Sequence, residues 1–230
     1  MSGIFNFWLS GRKACDYTHV INTRCYDVNT EAWANEMLER LDIPVHIFPQ
    51  IVKSGTILGH LLPAVAQETG LEQVPVVAPA CHDTAAAVAG VPTRERDYLF
   101  LSCGTWSVLG TEIDEPHIDP QGPPEGLWNE AGARDNIRFS SNVTGLWLVQ
   151  ECQRAWASQG ETYSFDALTH TAARGRALKS LIDPNDIGFI GTGDMPRRIK
   201  RFCEETNQPV PQTKGDVLRC ILDSLALRYR

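Results

Sequence analysis

Hydrophobic and polar positions along this chain change period several times, and the sharpest change lies near its middle. Val74 to Val77 is a β-branched run closed off by Pro79, which reads as a short buried strand. Ala85 to Gly90 reads as a helix of small residues, whose lack of bulk lets another backbone come close. Tyr98 to Ser102 then alternates as a strand, turns at Cys103-Gly104-Thr105 and returns as a second strand, Trp106 to Thr111. Four polar or reactive residues, Cys81, His82, Asp83 and Thr84, fall where the first strand gives way to the helix.

Upstream of this unit, residues 1–73 read as helices and loops. Ile4 to Leu9 is an aromatic-rich helix stopped by Ser10-Gly11. Trp33, Met37, Leu38 and Leu41 fall at helical spacing behind a Thr30 cap, and Ile43-Pro44 ends that helix. Gly55 and Gly59 read as loop residues, and Leu61 to Thr69 as a helix closed by Gly70. Downstream, Gly90 to Asp97 is polar and contains proline, so the boundary between two domains is expected there. Glu115 to Leu127 is a proline- and glycine-rich loop, and Asn136 to Ser140 a short strand. Gly145 to Trp156 has helical spacing, and Pro196 to Glu205 and Asp216 to Arg230 read as two amphipathic helices. Gly188, Gly191 and Gly193 match neither a P-loop nor a dinucleotide fingerprint, so they are read as loop.

Composition narrows the class. The chain has 230 residues, 43% of them hydrophobic and 21% charged, enough for a sizeable core in one or two domains. A net charge of −7 with no basic run argues against nucleic acid as the main partner. The apolar stretches are too short to span a bilayer, and Met1 to Gly11 lacks the parts of a signal peptide, so a cytoplasmic location is expected. Seven cysteines without a C-x-x-C pair read as reduced thiols rather than a zinc site. Cys203 and Cys220 sit on consecutive helices joined through Pro209-Val-Pro211, which predicts that their sulfurs approach each other.

Two features could carry chemistry. One is a carboxylate, Asp83, at a helix start whose positive end favours an anion. The other is a hydroxyl, Thr105, beside Gly104 in a tight turn. Phosphoryl transfer needs a group of each kind, one to take the proton of the acceptor hydroxyl and one to hold phosphate oxygens. Each also has a plain structural reading. Asp or Thr before an alanine run is most often a cap, and Cys-Gly-Thr between strands is most often a hairpin with glycine supplying a positive φ. A thiol-hydrolase reading of Cys81-His82-Asp83 fails on strand geometry, which would point His82 away from its two neighbours. Asn142 and Gln150, eight residues apart, would share one helix face about 12 Å apart along the axis; otherwise Asn142 caps that helix. Trp106 is expected to pack, and Cys103 is given no chemistry.

Taken in order, HDTAAAV from His82, SCGTWSVLGTE from Ser102, Asn129-Glu130 and NVTGLWLVQE from Asn142 resemble the FGGY family of carbohydrate kinases, its rhamnulokinase branch in particular. WLSG, DYTHVINT, Trp33, FPQIV and the Gly55–Gly59 pair resemble the later part of that family's first domain, and SLIDPNDIGF its short strand and DPND-type loop. The resemblance implies an α/β, ribonuclease H-like (actin-like ATPase) two-domain sugar kinase fold, truncated at both ends, with the active site in the cleft between the domains. It places residues 1–92 in the first domain and 93–230 in the second. It implies Asp83 as general base, His82, Asp83, Thr84 and Asn142 as sugar-binding residues, and Gly104, Thr105 and Gln150 on the nucleotide side, with ATP and Mg²⁺ as cofactors and no metal ligand of the chain's own.

Under that resemblance the reaction is ATP-dependent phosphorylation of a ketose, L-rhamnulose to L-rhamnulose 1-phosphate, with the sugar and ATP as partners. The alternatives are another deoxyketose kinase such as an L-fuculokinase, or a sugar-binding remnant without catalysis. The family's D-x-G-[ST]-type phosphate loop and glycine-rich nucleotide motif do not occur in these 230 residues, so the chain is expected to be inactive by itself.

Overall fold

Residues 2–72, 74–122 and 126–230 are described by a computed structural model. Helix α1 (Ser2–Ser10) ends where Gly11, at φ +71°, donates its N–H to the Phe7 carbonyl at 2.7 Å. That left-handed closure costs a glycine nothing and would strain a residue with a Cβ. Strand β1 (Ala14–Asp16) follows and runs directly into the short helix α2 (Tyr17–Val20), capped by Asp16.

Strands β2 (Tyr26–Asp27) and β3 (Ala32–Trp33) pair with each other, ahead of helix α3 (Asn35–Arg40). Strand β4 (Gln50–Val52) lies parallel to β1, with Ala14 opposite Gln50 and Asp16 opposite Val52. Strand β5 (Ile57–His60) is followed by helix α4 (Pro63–Thr69), closed by Gly70 at φ +69°. Strand β6 (Pro75–Val77) returns antiparallel to β5, and helix α5 (Asp83–Ala89) comes next. The reading of residues 1–73 as helices and loops is therefore corrected by five strands. Each is two to four residues long, too short to display an alternating period, and β1 finds its partner thirty-odd positions away.

The Thr30 cap is corrected as well. Trp33 lies in β3, its indole N–H donating to the Pro49 carbonyl at 2.8 Å and its ring 4.7 Å from that of Phe48. Tertiary contacts hold that tryptophan, and α3 begins only after Ala34. Gly59 is not a loop residue but part of β5, at φ +147° where the register with β6 is irregular. Strand β6 is less buried than expected: Val76 is inside while Val77 is 45% exposed.

Strands β7 (Phe100–Cys103), β8 (Trp106–Ile113), β9 (Leu127–Ala131) and β10 (Ile137–Thr144) form one sheet in the order β7-β8-β10-β9. The Glu115–Leu127 loop prediction falls partly on residues 123–125, outside the described residues; Leu127 already belongs to β9. Strand β10 runs four residues beyond the expected Ser140. Helices α6 (Trp147–Ala157), α7 (Phe165–Ala173), α8 (Met195–Glu205) and α9 (Lys214–Tyr229) complete the chain. Residues 180–182 form no ladder; Leu181 N–H donates to Gln208 and Ile182 N–H to Ser224, so side chains take the place of a neighbouring strand.

Two compact units divide the chain: Met1–Phe100 with Gly110–Ser141, and Leu101–Leu109 with Asn142–Arg230. The first has a small core around Ala14, Val52, Leu58, Val76 and Ala78. The second has a large one in which Leu148, Met195, Ile199, Cys203 and Ile221 are fully enclosed. Helix α9 is corrected from amphipathic to central: Gly215, Val217, Leu218, Cys220, Ile221, Ser224 and Leu225 are buried on several of its faces. It approaches α7 so closely that a Cβ on Gly215 would sit 2.7 Å from the Thr171 carbonyl. Thr213 and Asp216 start it with a reciprocal capping box.

Candidate functional site

In the first unit, strand β6 stops at Val77 and the chain turns through residues 78–82 into α5. Asp83 is the first residue of that helix, with His82 at the cap position. Its side chain is 97% exposed, and Oδ1 accepts the N–H of Thr84 at 2.7 Å. His82 Nδ1 lies 3.6 Å from the same oxygen. Strand alternation would have sent the imidazole away from Asp83; because the strand has already ended, the ring turns toward it. His82, Asp83 and Thr84 are thus gathered at one point.

Burial pushes the His82 imidazole below its ordinary value, and the Arg138 guanidinium pushes the same way, against the carboxylates of Glu130 and Asp83. Arg138 is fully buried on β10, with Nη2 3.1 Å from Glu130 Oε2 and Nε donating to the Ala131 carbonyl at 3.1 Å. Asn129-Glu130 enters the sequence reading only as a match, so this pair of a buried arginine and a half-buried glutamate was missed as part of the His82 surroundings. The Cys81 thiol is pushed up by burial and points to the Pro79 carbonyl at 3.4 Å, the opposite of an activated nucleophile.

Behind the loop lies a hub that sequence reading did not single out. Asp16 is 3% exposed at the end of β1. Its Oδ1 accepts the N–H and hydroxyl of Thr18 and the N–H of Cys81, the last at 3.0 Å, while Oδ2 accepts the Ser54 hydroxyl at 2.9 Å. Thr18 Oγ1 in turn accepts the His82 N–H at 3.0 Å. The DYTHVINT match named this segment, but only pairing of β1 with β4 brings Asp16 to Cys81, sixty-five residues away.

In the second unit, Gly104 and Thr105 form the two-residue turn between β7 and β8. The turn is anchored on the start of α6: Leu146 N–H donates to the Gly104 carbonyl at 2.8 Å, and Gly145 and Trp147 N–H donate to the Thr105 carbonyl at 3.2 and 3.1 Å. Gly104 does not have a positive φ, and a Cβ there would meet nothing closer than 3.6 Å. The expected reason for a glycine in this hairpin is therefore corrected: the turn itself does not require one. At Gly145 the fold does require one, since a Cβ would lie 2.5 Å from the Gly104 oxygen.

Thr105 Oγ1 donates to Gln150 Oε1 at 3.2 Å. Asn142 does not join them on a helix. It is an exposed residue of β10, because the strand continues to Thr144 and α6 begins only at Trp147. Neither shared-face nor capping geometry applies to Asn142. Trp106 is 57% exposed rather than packed, while its neighbour Ser107 is fully buried and bonded to the Tyr229 hydroxyl at 2.7 Å. Asn185, in the DPND loop, accepts the Thr144 N–H at 2.8 Å and fixes the end of β10.

No helix of the described residues is long and apolar enough to cross a membrane. Among the described residues, one group of three or more His, Cys, Asp and Glu side chains is close enough to hold a metal: Asp16, His19 and Cys81.

A rhamnulokinase from Bacteroides thetaiotaomicron is 36% identical over 230 residues, all of this chain and 47% of that protein. Another from Enterococcus faecalis is 37% identical over 220 residues, 96% of this chain and 44% of that protein. The chain thus spans about half the length of the curated relatives it matches. The crystal structure of a xylulose kinase from Rhodospirillum rubrum superposes with a TM-score of 0.69 at 20% identity, covering 99% of this chain and 45% of that one. The ribonuclease H-like sugar-kinase fold expected from the motifs is the fold observed. Residues 1–90 match the N-terminal domain, and residues 99–230 the C-terminal domain, of the FGGY carbohydrate kinases, so the chain belongs to the FGGY family of carbohydrate kinases.

Proposed function

We propose that the protein built on this chain is a cytoplasmic, ATP-dependent kinase that phosphorylates L-rhamnulose to L-rhamnulose 1-phosphate. The observation that carries the reading is the similarity to curated rhamnulokinases along the whole chain, both site segments included. The gap between the two family matches supports a division into residues 1–92 and 93–230.

Asp83 takes the proton of the attacking sugar hydroxyl. Its exposed carboxylate and the neighbouring His82 ring support that role, which asks for orientation and late proton acceptance rather than a strong base. His82 in its neutral form offers one ring N–H and one acceptor to sugar hydroxyls, with Thr84 and the exposed Asn142 as further sugar contacts. Gly104, Thr105 and Gln150 serve the phosphates of ATP. Gly104 is a glycine the turn does not need, so its bare backbone is open to a ligand's close approach.

Mg²⁺ accompanies ATP in phosphoryl transfer. It is a hard ion held by oxygen ligands, and the thiol and imidazole of the Asp16, His19 and Cys81 group do not fit it. No step is assigned to a metal held by these residues.

The test is a coupled assay on a protein carrying residues 1–230 within a chain of the relatives' full length. L-Rhamnulose should be the preferred acceptor, by at least about tenfold in kcat/KM, a difference of ~1.4 kcal/mol in barrier. Preference for L-fuculose would make it a different deoxyketose kinase; sugar binding without ADP release would make it a non-catalytic sugar-binding protein.

A further inference from the structure

Asp16 and Thr18 lie on the first strand–helix junction, far in sequence from the residues assigned to the sugar. The plain role of Asp16 is to cap α2, and its bond from Thr18 N–H does that. A cap needs nothing more. Yet the same carboxylate oxygen also accepts Cys81 N–H, and Thr18 Oγ1 accepts His82 N–H, so two consecutive backbone donors of the 78–82 segment are held from one junction. Ser54 fixes the other carboxylate oxygen from the segment after β4. With four donors on its two oxygens, Asp16 is committed as a hydrogen-bond hub, which also weighs against its grouping with His19 and Cys81 being a metal centre.

We propose that Asp16 is a positioning residue for the reaction and that Thr18 is its relay. Together they fix the backbone of Cys81 and His82, and so set the direction in which His82 and Asp83 present their side chains. The inference rests on the reading of His82 and Asp83 as the sugar-side residues. Its physical ground is that the N–H groups of Cys81 and His82 enter neither the β5–β6 ladder nor the α5 helix, so tertiary hydrogen bonds decide where they point. Side-chain hydrogen bonds from a rigid, buried acceptor are the means by which a short connecting segment is held to one geometry.

The test separates loop holding from catalysis. Thr18→Val keeps the shape of a fully buried side chain and removes the acceptor for His82 N–H, whereas Thr18→Ser keeps it. On the chain as it stands, amide hydrogen exchange should accelerate at least tenfold at His82 in Thr18→Val and at both Cys81 and His82 in Asp16→Leu. Exchange at core positions such as Ile221 should stay unchanged, and Thr18→Ser should behave as the parent. In the full-length framework, Thr18→Val should lower sugar kcat/KM at least tenfold with the KM for ATP unchanged, and Thr18→Ser should restore it. Unchanged exchange at His82 in Thr18→Val would overturn the inference, as would faster exchange spread over the whole first unit. If the loop loosens, Asp83→Asn abolishes turnover and Thr18→Val leaves turnover intact, the positioning role is wrong. If Asp83→Asn also turns over normally, it is the functional reading of the loop that has failed.

Discussion

Thr105 and Gln150 are joined by a hydrogen bond of 3.2 Å, the threonine hydroxyl donating to the amide oxygen. The pair ties the β7–β8 turn to the second turn of α6, one helical turn beyond the three N–H groups that already grip the turn's carbonyls. In this arrangement the threonine proton is used internally. Turning the amide over would reverse the bond, with Gln150 donating to Oγ1 and the threonine proton free for an anion. The two side chains therefore act as a unit that can present either hydroxyl or amide donors, which suits oxygens of a phosphate.

That arrangement predicts an order among substitutions at Gln150. Gln150→Leu should raise the KM for ATP by removing a donor, a loss of about 1.5–3 kcal/mol for a bond to a charged group. Gln150→Glu should be worse, because it adds a charge of the same sign as the phosphates. Thr105→Val should resemble Gln150→Leu, and the double variant should cost less than the sum of the two. Steady-state kinetics with ATP varied decides this; a rise in sugar KM with ATP parameters intact would refute the assignment.

Asp83→Asn should lower kcat by about 10²–10⁴, the usual worth of a positioned general base, with ATP binding retained. Since the carboxylate is almost fully exposed, the melting temperature of the variant should match the parent. Retention of more than a tenth of kcat would remove Asp83 from the base role.

Gly145→Ala should injure both fold and site. Its Cβ would stand 2.5 Å from the Gly104 carbonyl oxygen, so either the hairpin or the start of α6 must move. Overpacking of this kind costs about 1–3 kcal/mol, and the displaced turn should weaken ATP use as well. Gly104→Ala should be silent in thermal denaturation, because that position has room, yet should still harm ATP kinetics. Equal melting losses in the two variants would contradict the geometry.

His82 is predicted to titrate below the ordinary histidine value of about 6.5, because burial and Arg138 both disfavour the cation. A depressed folded-state value means that folding binds fewer protons than unfolding in this window. The His82 contribution to stability is therefore present above pH 6.5 and is lost as pH falls through its folded value. An NMR titration of the ring signals reads it directly, and a midpoint at or above 6.5 would contradict the prediction.

The buried thiols give a second pH signature, of the opposite sign. Burial pushes Cys220 up to about 12, and Cys203 and Cys152 are also raised, again by burial. Folding favours these thiols protonated, so stability should be flat below the ordinary thiol range and fall as pH rises from there toward 12. Cys203 on α8 and Cys220 on α9 are both enclosed in the core of the second unit. In native conditions a thiol reagent should modify the exposed Cys103 first and leave Cys152, Cys203 and Cys220 untouched until unfolding. Early labelling of Cys203 or Cys220 would show that the α8–α9 contact opens.

Local physics in the sequence was enough to determine the elements whose periodicity is long or whose punctuation is strong. Helix α1 with its Gly11 stop, α4 with its Gly70 stop, the Gly104-Thr105 hairpin, α6 and α8 all follow from hydrophobic spacing and glycine placement. The order of the motifs along the chain points to the family by itself. What local pattern could not determine was whatever depends on a distant partner. Strands β1, β4 and β5 are strands because they pair across tens of residues, β2 and β3 pair with each other but are too short to show a period, and α9 is buried on several faces because α6, α7 and α8 close around it. Asn142 stayed on a strand because β10 has a neighbour to extend along, and Asn185 caps its end. The Asp16–Thr18 hub, and the action of the Arg138–Glu130 pair on His82, exist only once chain segments forty to sixty-five residues apart meet. A hydrogen bond or ion pair between remote residues leaves no period in the sequence, so tertiary structure alone decided it.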